Sequence, residues 1–229
     1  LADLDTYDAS PRAIVDAASC VVVSCDYRQA PEHKFPASHE DAWAAYTWVV
    51  KNCASLKGDA SRIAVAGESA GGNLAAAVAV MARDGGQTLP LHQVLIYPVT
   101  SADMNTPSYE ENAQAKPLNR AMMKWFFDKE LRGPEDAADW KISLLKVPNL
   151  KGLPPATVIT AQIDPLRSEG KAYADKLKEA GVPVTYRNFD GVTHEFFGMG
   201  AVLPEAKAAQ ALVGTELKKA FSQGKKDNY

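Results

Sequence analysis

The sequence lacks the features that would assign it to a secreted, nucleic-acid-binding or membrane class. Its 229 residues include only 3 Cys, too few for a disulfide framework and typical of reduced thiols in the cytoplasm. The 25 Lys and Arg against 28 Asp and Glu leave a net charge of −3, without the basic stripe of a nucleic-acid binder. The longest apolar stretch, residues 70–82, contains Asn73 and is too short to cross a bilayer. We expect a cytoplasmic protein with no membrane span and no nucleic-acid partner.

What the sequence does contain is an alternation of strand-length apolar runs and helical patterns. Strands are predicted at residues 20–26, 62–67, 93–98, 156–161 and 184–189. Helices are predicted at residues 5–18, 73–82, 119–131 and 167–180, and from residues 38 and 204 onward. This alternation predicts an α/β fold, a mostly parallel sheet with helices on both faces, over one domain spanning residues 1–229.

One connection is much longer than a normal crossover between parallel strands. It lies between the strands predicted at 93–98 and 156–161 and contains the helix predicted at 119–131, whose apolar residues lie on more than one face. We interpret residues 103–140 as a cap-like insertion that packs on the body and also covers something. A fully buried core helix explains the same pattern equally well.

The sequence Gly67-Glu68-Ser69-Ala70-Gly71 follows a predicted strand and opens a predicted helix. This is the Gly-x-Ser-x-Gly pattern of a nucleophile elbow, in which a strained turn exposes the serine hydroxyl. The two glycines leave room for crowded backbone, and the Ala70 N–H at the helix N-terminus can bind a developing oxyanion. The pattern predicts Ser69 as a nucleophile, although a glycine-rich turn can carry an incidental serine.

A nucleophilic serine needs a base, and the sequence has 4 His. His33 lies in a loop bracketed by prolines and is interpreted as structural, His39 in a first helical turn as solvated, and His92 as the start of a strand. His194 lies in a loop just after the last predicted strand, at the sheet edge where parallel-sheet proteins place their sites. We predict His194 as the general base.

Asp164 follows the preceding predicted strand in the same way. It can orient His194, and it can equally cap the next helix with Pro165 at the first helical position. The order Ser69, Asp164, His194 along the chain is the order that α/β-hydrolases use. We therefore predict a catalytic triad of these three residues.

Several further motifs identify a family. They lie at residues 26–33, 35–37, 67–72, 122–131, 152–156, 164–167 and 194–197. Their order is the one found in the hormone-sensitive-lipase group of bacterial α/β-hydrolase carboxylesterases, and the chain resembles that group. The resemblance implies a lipolytic esterase that acts on short-chain carboxylic esters, with neither a cofactor nor a metal. Glu68 is a mild departure, because the family more often has Asp or Thr there.

The family also has a His-Gly-Gly-Gly loop that supplies further oxyanion donors. It precedes the segment that corresponds to residues 3–7, so the sequence begins after it. We expect from this that the sequence lacks an N-terminal portion carrying that loop, the first strands and the N-terminal cap helices.

The sequence gives little information about substrate specificity. Candidate pocket residues on the insertion or beside the triad are Met122, Met123, Trp125, Phe126, Leu166, Phe196 and Met199. Ordinary packing explains each of them as well. An amide hydrolase or peptidase on the same fold, and a ligand-binding relative without turnover, stay as alternatives to the esterase. No residue pattern demands a homodimer, although the edge strands and the last helix could support one.

Overall fold

A parallel four-stranded sheet forms the centre of the structure, a computed structural model that describes residues 2–223. Its strands are β1 (Val65–Glu68), β2 (Gln93–Ile96), β3 (Ala156–Ile163) and β4 (Val184–Thr193). They lie in the order β1-β2-β3-β4. One row of the register pairs Gly67 with Leu95, Leu95 with Val158 and Val158 with Tyr186. The predicted parallel sheet is confirmed.

The α-helices lie before, between and after these strands. They are α1 (Leu4–Tyr7), α2 (Ala9–Ala18), α3 (Ala37–Asn52), α4 (Ala70–Asp84), α5 (Pro107–Glu111), α6 (Arg120–Glu130), α7 (Pro134–Ala138), α8 (Arg167–Glu179) and α9 (Pro204–Gln223). Short 3-10 helices cover Cys53–Leu56, Leu144–Lys146 and Phe196–Gly198. The helix predicted at 5–18 is thus two helices, divided at Asp8.

Helices cover both faces of the sheet because successive strand residues point to opposite sides. On one face, Leu95 and Val158 pack in an apolar cluster with residues of α4 and α8. On the other face, Val94 and Ile96 pack with residues of α2 and α9. Helix α9 lies against α2 so closely that a Cβ on Gly214 would be 2.6 Å from the Ala17 carbonyl oxygen.

The long connection between β2 and β3 contains α5, α6 and α7. Its apolar side chains form a separate cluster that includes Tyr109, Leu118 and Met123. Helix α6 begins where the sequence predicts, because the Asn119 side chain caps it by accepting a hydrogen bond from the Met122 N–H. These helices form a layer that packs on the rest of the chain, because the same cluster contains Val99 and Leu166 from outside residues 103–140. A cap-like role for residues 103–140 stays a prediction.

The strand predicted at residues 20–26 is wrong. This segment lies outside the helices and strands, and it pairs with no strand among residues 2–223. A strand is defined by its hydrogen-bonded neighbour, and residues 20–26 and β1 instead line the same cavity. None of the helices within residues 2–223 has the length and apolar character needed to cross a membrane.

Candidate active site

Ser69 lies in the turn between β1 and α4 with φ 55° and ψ −118°, a backbone conformation that non-glycine residues rarely adopt. Backbone hydrogen bonds on both sides of Ser69 fix the turn. The Ser69 N–H donates to the Ile96 carbonyl at 2.9 Å, and the Val99 N–H donates to the Ser69 carbonyl at 3.2 Å. Ala70 is the first residue of α4, so the helix itself supplies no acceptor for its N–H. A donor at this position is available to an oxyanion formed at Ser69.

The His194 imidazole lies between Ser69 and Asp164. Its Nε2 is 3.0 Å from the Ser69 Oγ, and its Nδ1 is 2.7 Å from the Asp164 Oδ2. The other carboxylate oxygen of Asp164 accepts the Leu166 N–H at 2.8 Å, which fixes the carboxylate. The turn leads into α8, whose N-cap residue is Leu166. Asp164 therefore contacts His194 through one carboxylate oxygen and the backbone before α8 through the other, so the two roles expected for it are compatible.

The charge of Asp164 acts in a dry environment, because its side chain is fully buried and that of His194 is 3% exposed. Burial by itself lowers the pKa of the His194 imidazole. The nearby carboxylates of Asp164, Glu195 and Glu68 act in the opposite direction and prevail, so the pKa lies above the ordinary histidine value. The geometry allows the imidazole to accept a proton from Ser69 and to be held in one tautomer by Asp164.

A cluster of aromatic rings, called the aromatic wall below, packs beside the His194 imidazole. The Tyr97 ring lies 4.5 Å from the His194 ring, centroid to centroid, and Phe196 lies 5.9 Å from Tyr97 and 5.4 Å from Phe189. Phe196 is fully buried in this wall. It therefore supports the histidine rather than lining the substrate pocket for which the sequence suggested it.

Two carboxylates lie beside the triad, and the sequence predicted a role in the site for neither of them. Glu68 precedes Ser69 and accepts a hydrogen bond from the Tyr97 hydroxyl, and Glu195 follows His194 and accepts from the Tyr7 hydroxyl at 2.8 Å. The signal was present in the sequence, since an acidic residue adjoins both the nucleophile and the base. Burial raises the pKa of Glu68 despite its hydrogen bonds.

Two of the other histidines, His39 and His92, make structural contacts. His39 is buried, not solvated as predicted, because its Nε2 donates to the Asn73 Oδ1 at 2.9 Å and the Lys141 carbonyl at 3.2 Å. It thereby joins α3 to α4 and to the end of the insertion. His92 is buried just before β2, with Nε2 2.8 Å from the Thr157 Oγ1.

A cavity of about 1290 Å³ opens at Ser69. Four of the seven pocket candidates line it from α6: Met122, Met123, Trp125 and Phe126. The lining does not include Leu166, Phe196 or Met199. Leu166 is fully buried in the cluster under the insertion, and the 46% exposed Met199 lies outside the cavity. Across residues 2–223, no three His, Cys, Asp or Glu side chains are grouped so as to hold a metal ion.

The profile of one protein family, described as the alpha/beta hydrolase fold, matches residues 1–198. The chain belongs to the alpha/beta hydrolase family. Among proteins similar to this hydrolase is Carboxylesterase NlhH of Mycobacterium tuberculosis, which is 43% identical over 224 residues, 96% of this chain and 70% of NlhH. The Ethyl acetate hydrolase of Pseudomonas putida is 35% identical over 92% of this chain and 66% of its own length.

Solved structures agree with the family of this hydrolase. An esterase of Pyrobaculum calidifontis superposes with a TM-score of 0.92 at 42% identity, covering 96% of this chain and 72% of that one. EstE1, a thermostable carboxylesterase cloned from a metagenomic library, gives a TM-score of 0.93 at 41% identity and covers 96% and 76%. The predicted α/β-hydrolase fold and the resemblance to carboxylesterases are confirmed.

Proposed function

We propose that this hydrolase cleaves short-chain carboxylic esters through an acyl-enzyme on Ser69. The observation that carries the proposal is the unbroken chain of contacts from Asp164 through His194 to Ser69, which opens into the cavity. A buried triad of this geometry activates a serine hydroxyl as a nucleophile. The similar proteins whose names identify them as esterases support ester substrates over amides.

The reaction begins when the Ser69 Oγ attacks the ester carbonyl carbon and its proton passes to the His194 Nε2. The carbonyl electron pair moves onto oxygen, where the Ala70 N–H stabilises it. The imidazolium is stabilised by Asp164 and then donates the proton to the leaving alcohol oxygen as the C–O bond breaks. A water molecule then attacks the acyl carbon while its proton passes to His194. The imidazolium returns a proton to the Ser69 oxygen as the acyl C–O bond breaks and the carboxylic acid is released. No cofactor or metal enters any step.

The acyl or alcohol part of the substrate would contact α6, whose Met122, Met123, Trp125 and Phe126 present an apolar wall to the cavity. These four side chains favour an uncharged hydrocarbon chain, since none of them carries a charge, whereas Lys129 and Glu130 at the end of α6 add charged groups to the lining.

Two alternatives use the same scaffold, and one experiment separates all three. Nitrophenyl esters of increasing acyl length and an aminoacyl nitroanilide are offered to the wild type and to the Ser69→Ala variant. The esterase predicts fast turnover of short esters, little turnover of the anilide, and loss of both in the variant. Faster anilide turnover would identify an amide hydrolase. No turnover of either class, with the ester still bound, would identify a binding protein.

A cytoplasmic location and a homodimer belong to the same proposal. The free cysteines Cys20, Cys25 and Cys53 support a reducing compartment. The edge strands β1 and β4 and the helix α9 are the surfaces available for a second copy. Light scattering on the purified protein tests the dimer by its mass, which would be twice 24.6 kDa for this chain.

A further inference from the structure

Glu195 carries a carboxylate beside the nitrogen of His194 that accepts the serine proton. Its Oε1 lies 3.6 Å from the His194 Nε2, and the Ser69 Oγ lies 3.0 Å from the same nitrogen. Asp164 occupies the opposite end of the ring, at Nδ1. The imidazole therefore lies between two carboxylates, and only the one at Nδ1 has a role in the mechanism above.

Two features hold the Glu195 carboxylate in this position. The residue has φ 71°, a left-handed conformation that is uncommon for glutamate and that turns the chain sharply after His194. The Tyr7 hydroxyl donates to both carboxylate oxygens, at 2.8 Å and 2.9 Å. Burial, and then the charge of Glu195, raise the pKa of the Tyr7 phenol, so it stays protonated as the donor. Helix α1 thus anchors the carboxylate from a distant part of the sequence.

Other ionisable groups also face the imidazole or the Glu195 carboxylate. They are Asp164 after β3, Glu68 at the end of β1, Tyr97 after β2 and Tyr7 at the end of α1. Burial raises the pKa of Glu68, so this carboxyl is protonated more easily than an ordinary glutamate. The Glu195 side chain is 38% exposed and lines the cavity at Ser69. Among residues 2–223, Glu195 is the carboxylate that lies within 4.0 Å of Nε2.

We propose that Glu195, held by Tyr7, is a second positioning residue that stabilises the His194 imidazolium from its Nε2 side. The inference uses the proposed function, because a positive charge arises on His194 when the Ser69 proton moves to Nε2. At that moment the new N–H lies within Coulombic range of the Glu195 carboxylate. A unit charge about 4 Å away in a water-like medium strengthens proton binding about fivefold.

The test measures protonation of His194 directly and does not need activity. Histidine side-chain NMR is recorded against pH for the wild type, Glu195→Gln and Glu179→Gln, with His194 assigned from a His194→Asn spectrum. We expect Glu195→Gln to bind the His194 proton about fivefold more weakly, with its midpoint at lower pH. Glu179 is an exposed acid at the far end of α8, and its variant should match the wild type, as should the His33 signal in every protein.

Tyr7→Phe provides a second variant in case Glu195→Gln fails to fold. It keeps the Glu195 charge but removes the hydrogen bonds that hold it, so we expect a smaller shift in the same direction. A His194 midpoint that is unchanged or higher in Glu195→Gln, or in Tyr7→Phe if only that variant folds, overturns the proposal. Ester turnover by the wild type is measured separately, so an inactive wild type would count against the esterase and leave the NMR result to decide the role of Glu195.

Discussion

Gly67 and Gly71 approach so closely that a Cβ on Gly67 would lie 2.0 Å from the Gly71 carbonyl oxygen. This contact closes the turn that carries Ser69 between them. A Cβ on Gly71, in contrast, would meet nothing within 4 Å. Of the two glycines of the elbow, only Gly67 is needed for a close approach of backbone to backbone. The expectation that Gly71 also makes room for crowded backbone is wrong, since a Cβ there would have open space.

The first prediction follows from this contact. We expect Gly67→Ala to destabilise the fold by about 1 to 3 kcal/mol or more, because backbone must move to admit the methyl group. Gly71→Ala is the matched control and should be neutral or slightly stabilising, since it lies in the first turn of α4 with open space around it. Urea unfolding of both variants checks this. Equal stability of the two would contradict the geometry.

The second prediction concerns the pH dependence of ester hydrolysis. His194 must be neutral to accept the Ser69 proton, and the surrounding carboxylates hold its pKa above the ordinary value despite its burial. The acidic limb of kcat/KM should therefore have its midpoint above about 6.5, the ordinary value for histidine. A profile of kcat/KM for nitrophenyl acetate from pH 5 to 9 measures it. A midpoint below that value would contradict the prediction, because burial would then lower the His194 pKa more than the carboxylates raise it.

The third prediction concerns stability in mild acid. Burial lowers the pKa of His92 to about 4. Between the ordinary value of about 6.5 and this one, the unfolded chain binds a proton at His92 that the folded protein does not. Stability is thus complete above about 6.5 and is lost as the pH falls towards 4, by about 2 kcal/mol between pH 7 and pH 5.

Urea unfolding at these two pH values tests the contribution of His92. The His92→Gln variant should lose less stability between pH 7 and pH 5 than the wild type, by about 2 kcal/mol. The exposed His33 offers a matched control, and His33→Gln should keep the wild-type pH dependence. An unchanged pH dependence in His92→Gln would show that another group is responsible.

The fourth prediction separates two residues that the sequence placed in one class. Trp125 is 47% exposed and lines the cavity, so Trp125→Ala should change KM across an acyl-length series with little effect on stability. Leu166 is fully buried under the insertion, so Leu166→Ala should destabilise the fold by about 2 to 5 kcal/mol and leave the order of substrate preference intact. The opposite pattern would place Leu166 in the pocket.

Local patterns in the sequence located the elements that carry the site. The strand, turn and helix around Ser69, and the positions of Asp164 and His194 after consecutive strands, follow from short-range signals that the structure reproduces. The same signals failed at residues 20–26, because an apolar run of strand length predicts a strand but cannot supply the neighbouring strand that it would pair with.

Long-range contacts were the other part that the sequence did not reveal. The contact of Tyr7 with Glu195 spans 188 positions, and that of His39 with Asn73 joins two helices. The sequence also could not separate the pocket candidates that line the cavity from those that are buried in the core. Met122 and Trp125 lie at the cavity and Phe196 lies in the core, a difference set by packing that residue type alone does not encode.

The most direct test of the account is the site at which a fluorophosphonate forms a covalent bond with the protein. Intact-mass and peptide mass spectrometry should find one adduct per chain, on Ser69, formed as ester hydrolysis is lost. The Ser69→Ala variant should form none and hydrolyse no ester. Ester hydrolysis that persists in Ser69→Ala, or an adduct on any other residue with Ser69 unmodified, would contradict the assignment of Ser69 as the nucleophile.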